Sequence, residues 1–159
     1  MENINDFIHF IYCDDMHLNE LITGLSGNKD IYVASVDGKK CDNLDDLFHE
    51  FKIAFKFPDY FGYNWAAFDE CLNDLDWLDS KAYVLFISDV DIVLKDNEQD
   101  FILFLKYLRK AVSEWLEGRQ YDDFPTPKTE FHLYLHSSDK NKVALQERIG
   151  MSLTFKVES

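Results

Sequence analysis

The sequence predicts an α/β domain built on a small, mainly parallel β-sheet flanked by helices. Three observations carry this. Ala82 to Ile87 is continuously apolar and β-rich, the composition of a central strand covered on both faces. Two amphipathic helical patterns bracket it. The first sets Leu44, Leu47, Phe48, Phe51 and Phe55 after Asn43; the second, Glu98 to Glu117, puts Phe101, Leu105, Leu108, Val112 and Trp115 on one side. Strand-like segments, Ile31 to Val36 and Phe131 to Leu135, lie outside these helices, so strands and helices alternate along the chain. At 159 residues the chain is one domain by length, 1–159, and large enough for a real core.

Before this core, Phe7 to Tyr12 reads as a strand and Leu18 to Leu25 as a weak helix ended by Gly24 and Gly27. Asp37-Gly38 forms a turn pair after the first core strand. The helix after Asn43 has acids in its first turn, where the macrodipole favours them, and Pro58 closes that segment. Asp89 and Asp91, after the central strand, are expected to be turn and cap residues. So broad an apolar face on 98–117 predicts a largely buried helix. Gly118 ends it, and Gln120 to Thr129, with Pro125 and Pro127, reads as a loop. Leu133 and Leu135 then alternate with His132, Tyr134 and His136. The two histidines would stand about 13 Å apart along a strand, too far to share a metal, and are expected to be half-buried. Lys140 to Ile149 is a candidate helix, and Leu153, Phe155 and Val157 a candidate extra strand.

A net charge of −14 argues against nucleic acid or an anionic membrane as partner and for a basic one. Three cysteines without CxxC or a metal spacing fit a reducing, cytoplasmic location. No signal peptide or membrane span is visible. No phosphate-cradling, dinucleotide, zinc-hydrolase or nucleophile-elbow motif occurs, so no cofactor is expected.

The densest chemistry lies between Phe57 and Leu78. Gly62, between Phe61 and Tyr63, is expected to need positive φ or tight backbone contact. Asn64 offers its side-chain oxygen to the first free amides of a helix. From there Trp65, Phe68, Cys71, Leu72 and Leu75 form an apolar stripe, with Ala66, Asp69, Glu70, Asn73 and Asp74 on the other side. Asp74 would lie in the last turn, against the negative end of the macrodipole, where an exposed acid costs roughly 0.3–1 kcal/mol. An acidic helix face alone is most simply a solvated one. Here it follows a loop holding Phe57, Tyr60, Phe61 and Tyr63, and aromatic anchors beside charge suit a protein interface. Phe57 and Phe61 are expected to plug the core.

This run resembles the barstar family of intracellular ribonuclease inhibitors. The match is carried by Asp37-Gly38, Leu44, Asp46-Leu47, Phe51, Phe55, Phe57-Pro58, Tyr60, Gly62, Asn64, Ala67, Phe68, Cys71 and Leu72, and extends more loosely to Ser137. The resemblance implies a three-stranded sheet in a core of residues 31–137; the extensions 1–30 and 138–159 are expected to pack on it and add to its edge, because both carry apolar residues that a solvated tail would leave exposed. It also implies a non-enzymatic protein, monomeric when free, whose acidic helix occludes the active site of a basic ribonuclease-type toxin. The partner-binding set carried over is Tyr60, Gly62, Asn64, Ala66, Asp69, Glu70, Asn73 and Asp74. Tyr60 keeps the family's interface tyrosine. Departures lie at Ala66, where the family has an acid; Glu70, where its acid is one methylene shorter; Asp69, where it has an aromatic; and Lys110, loosely matching a further acid. They bear on partner specificity rather than fold. The alternative expectation is a metal-dependent hydrolase using Asp69, Glu70 and Asp74.

Overall fold

Four strands pair into one sheet: β1 (Ile8–Tyr12), β2 (Ile31–Asp37), β3 (Ala82–Ser88) and β4 (Glu130–Ser137). Their order is β1-β4-β3-β2, and every pair is parallel. The computed structural model describes residues 3–118 and 127–152. The expected count of three strands is corrected to four among the described residues, because β1 joins β4 in register from Ile8 opposite Leu133 to Tyr12 opposite Ser137. Pairing across more than a hundred residues leaves no mark in local periodicity. The candidate strand Leu153 to Val157 and most of the Gln120 to Thr129 loop lie outside the described residues.

Among the described residues five α-helices dress the sheet: α1 (Asp15–Ser26), α2 (Leu44–Phe55), α3 (Trp65–Leu72), α4 (Glu98–Glu117) and α5 (Lys142–Ser152). The period-2 alternation of β3 divides the interior. Tyr83, Leu85 and Ile87 belong to the main core with Phe48, Phe51 and Phe55 of α2, Phe68 of α3, and Phe104 and Leu108 of α4. Val84 and Phe86 belong to a smaller cluster with Leu18, Ile22 and Leu25 of α1. The central strand is thus buried on both sides, as its unbroken apolar run requires. α1 begins earlier than the periodicity suggests because the Asp14 side chain accepts the His17 amide. Gly24 lies within that helix rather than ending it, and the cap, Gly27, has an ordinary right-handed φ of −73°.

Three details fix the upper end of the sheet, where β2 and β3 stop. Gly38 follows β2 so closely against β3 that a side chain there would overlap the Ser88 carbonyl oxygen and crowd Asp89 O at 2.8 Å and Val93 Cγ2 at 2.9 Å. His136 is wholly buried, not half-buried as expected. Its Nδ1 accepts the Asp89 amide at 3.1 Å and its Nε2 donates to the Cys13 carbonyl at 2.8 Å, tying the ends of β3 and β1 together. Those two bonds require the neutral ring protonated on Nε2. Arg148 of α5 lies over the Phe101 ring at 3.5 Å and donates to the carbonyls of Val90, Asp91 and Leu94, so α5 closes the same end.

Candidate partner-binding face

The loop before α3 is set by where its rings go. Phe57 and Phe61 are buried and pack on each other at 5.0 Å, and Phe61 meets Phe48 edge-on at 6.0 Å. Tyr60, between them, is left 70% exposed. Tyr63 turns its hydroxyl to His49 Nδ1 at 2.9 Å. The left-handed residue of this loop is Tyr63, with φ 51°, and not Gly62, which corrects one half of the sequence expectation. Gly62 is needed for space instead. A Cβ there would stand 3.0 Å from Asn64 Nδ2, which donates to the Gly62 carbonyl while Asn64 Oδ1 accepts the Ala67 amide at 2.8 Å. Loop and helix cap therefore share one side chain.

α3 is only eight residues long and is held at both ends. Trp65 stacks on Tyr107 of α4 at 5.1 Å, nearly parallel, and Phe68 is fully buried. At the other end Trp115 of α4 donates its indole N–H to the Leu72 carbonyl at 3.0 Å. The helix stops there, so Asp74 lies beyond it rather than in its last turn. The stripe read through Leu75 hid this end: Leu75 is buried, but through a left-handed turn with φ 49° and not by helical continuation. Asp74 thus makes no argument from the macrodipole.

Asn73 is a second correction. It is the C-cap and 3% exposed, and its amide donates to the Asp69 carbonyl at 2.8 Å and to Asp69 Oδ1 at 2.9 Å. Turned inward to satisfy helix-end groups, it has no side chain to offer a partner. Asp69 is engaged on both sides, since its Oδ2 accepts from Lys110 Nζ at 2.8 Å. That bond to Asp69 holds the Lys110 ammonium above its ordinary pKa. Glu70 and Ala66 are exposed on the next strip of the helix. Burial, then the charges of Glu70 and Asp74, push the Cys71 thiol up to about 11, which leaves it a core residue and no nucleophile. Desolvation, then the charges of Cys71, Asp74 and Glu70, raises the Tyr60 phenol likewise.

The structure therefore leaves Tyr60, Ala66 and Glu70 exposed with Asp74 half-buried just beyond the helix, uses Gly62 and Asn64 as the scaffold of the loop and cap, and turns Asn73 inward. The expected metal cluster of Asp69, Glu70 and Asp74 does not assemble: Asp69 is spent on Lys110 and Asn73. Among the described residues no group of three or more His, Cys, Asp or Glu side chains could hold a metal ion. The Lys110 contact, 41 positions away in sequence, had no local signal.

In fold, the chain is similar to a solved structure of the Aeropyrum pernix ORC2 protein in ADPNP and ADP complexes. The TM-score is 0.56 at 11% identity, over 94% of this chain and 40% of that one. The chain thus spans well under half of that protein, and the likeness is one of α/β architecture. After β1 this chain reads Cys13-Asp14-Asp15, with no glycine and no lysine for phosphate. A family model described as Barstar (barnase inhibitor) matches residues 31–136. The chain belongs to the barstar family. A comparison with curated proteins found no match. No helix among the described residues is long and apolar enough to cross a membrane.

Proposed function

We propose that this protein is a non-enzymatic inhibitor, an immunity protein of the cytoplasm, that occludes the active site of a basic ribonuclease-type toxin with the face around α3. The observation that carries the reading is Tyr60, 70% exposed in a loop whose neighbouring rings are buried and just before the helix that exposes Glu70. An exposed aromatic anchor ahead of carboxylates that form no ion pair among the described residues is the pairing that a cationic, phosphate-binding site would meet. Family membership supports the same direction. Glu70 then takes the place of a substrate phosphate, Tyr60 packs against the rim, and the short side chain of Ala66 lets the partner approach the helix closely.

The test is inhibition of ribonuclease cleavage of a fluorogenic RNA. The nucleases are barnase and any basic ribonuclease captured on the immobilised chain. Glu70→Ala should weaken inhibition by about 2–5 kcal/mol, mostly through faster dissociation, because toxin cations are left buried and unpaired. Tyr60→Ala should weaken it by about 1–3 kcal/mol, with the urea midpoint unchanged for both variants. Wild-type inhibition by both variants, or no ribonuclease inhibited by the wild-type chain, overturns the reading.

A further inference from the structure

Lys110 puts a cation into an acidic face, and the geometry shows what keeps it there. Its Nζ sits 2.8 Å from Asp69 Oδ2 and 3.8 Å from Glu114 Oε1, so the bond to Asp69 alone is of hydrogen-bond length. The Lys110 side chain is 47% exposed against 26% for Asp69. An ammonium carries three donors, so N–H bonds remain that point away from Asp69. Asp69 is the reverse case, since Lys110 takes Oδ2 and Asn73 takes Oδ1. A partner cation reaching for Asp69 meets a mostly buried carboxylate whose charge Lys110 already offsets, while a partner anion reaching Lys110 meets the more exposed member of the pair.

Resting on the inhibitor reading above, we infer that Lys110 is a specificity-determining residue that meets an anionic side chain of the partner, with Asp69 a positioning residue that aims it. Asp69, which the resemblance placed among the partner-binding residues, then acts through Lys110 rather than by direct contact. The placement of Lys110 also narrows the partner class. A nuclease site combines cations that hold phosphate with a general base that takes up the proton of the attacking hydroxyl. The face of α3 and α4 offers both complements, an acid at Glu70 for the cations and a cation at Lys110 for a carboxylate base or acidic rim residue. The partner is thus a ribonuclease whose basic site includes a carboxylate, not a uniformly cationic groove.

The sign of one measurement decides. Against a uniformly basic site, Lys110→Met removes a repulsion and tightens inhibition; against a site with an anion opposite Lys110, it weakens inhibition. With the ribonuclease that the wild-type chain inhibits, Lys110→Met should raise the inhibition constant at least tenfold at low salt. The exchanged pair, Lys110→Asp with Asp69→Lys, moves the cation from α4 to α3 and gives up the Asn73 bond to Asp69 Oδ1, so its urea midpoint should fall while the chain still folds, and inhibition should drop tenfold or more. Tightening or no change in Lys110→Met, or wild-type inhibition by the exchanged pair, overturns the inference. Glu70→Ala run in parallel separates the two levels. A loss there without a loss at Lys110 sinks this inference alone, and no loss at Lys110, Glu70 or Tyr60 sinks the inhibitor reading as well.

Discussion

At the scale of single residues, two glycines that look alike in the sequence do different work. Gly38 lets the chain leaving β2 pass against the backbone of β3, where a methyl group would meet the Ser88 and Asp89 carbonyl oxygens, neither of which can rotate away. Gly62 borders the tip of a side chain, Asn64 Nδ2, that can give by a few tenths of an ångström. Gly38→Ala should therefore cost about 2–4 kcal/mol in urea unfolding, the range of overpacking against rigid neighbours. Gly62→Ala should cost about 1 kcal/mol, the worth of a loosened N-cap. Equal costs would mean that the backbone around Gly38 shifts freely. Asp69 and Glu70 teach the same lesson. Adjacent in sequence and alike in charge, they differ because one finds Lys110 and the other faces solvent.

At the scale of elements, α3 is the part on which the proposed function turns, and it is too short to stand alone. Isolated helices of fewer than about 12 residues are marginal in water. Its order comes from outside, through the Asn64 cap, the Trp65–Tyr107 stack and the Trp115 bond to the Leu72 carbonyl. Trp115→Phe keeps most of the buried ring area but removes the indole donor, leaving a buried carbonyl unpaired at the helix end. It should cost about 1–3 kcal/mol. Hydrogen exchange locates the loss: amides of α3 should lose protection first, while those of β3 and β4 follow only global unfolding. Uniform loss across the sheet would show that α3 has no local opening of its own.

At the scale of the whole molecule, the family match begins at Ile31, but the sheet begins at Ile8. β1 covers one edge of β4, and Ile8 sits in the main core. α1, on the other face, shields Val84 and Phe86. A fragment starting at Ile31 would expose the β4 edge and strip His136 of its Cys13 acceptor. Burying a large apolar side chain is worth about 1.5–3 kcal/mol, so losing Phe7, Ile8 and Leu18 should remove several kcal/mol. The expected outcome is a fragment 31–152 that is insoluble or unfolds at much lower urea than the full chain. A fragment as stable as the whole would make the first 30 residues an ornament.

The sequence by itself determined what local physics governs. An apolar run bounded by turn residues made β3, apolar residues at helical spacing made α2 and α4, and Asn43 and Asn64 announced their helices because a cap acts over three residues. The buried Phe57 and Phe61 and the exposed Tyr60 were also legible, as two rings suited to a core and one kept at an interface. What only the tertiary structure decided lies at long range or at element ends. It placed β1 against β4, ended α3 at Leu72, put the left-handed turn at Tyr63, turned Asn73 inward and gave Asp69 to Lys110. Each of these depends on a group brought close by the folding of the rest of the chain. Hydrogen bonds and ion pairs act over a few ångströms, whatever the number of residues between their partners.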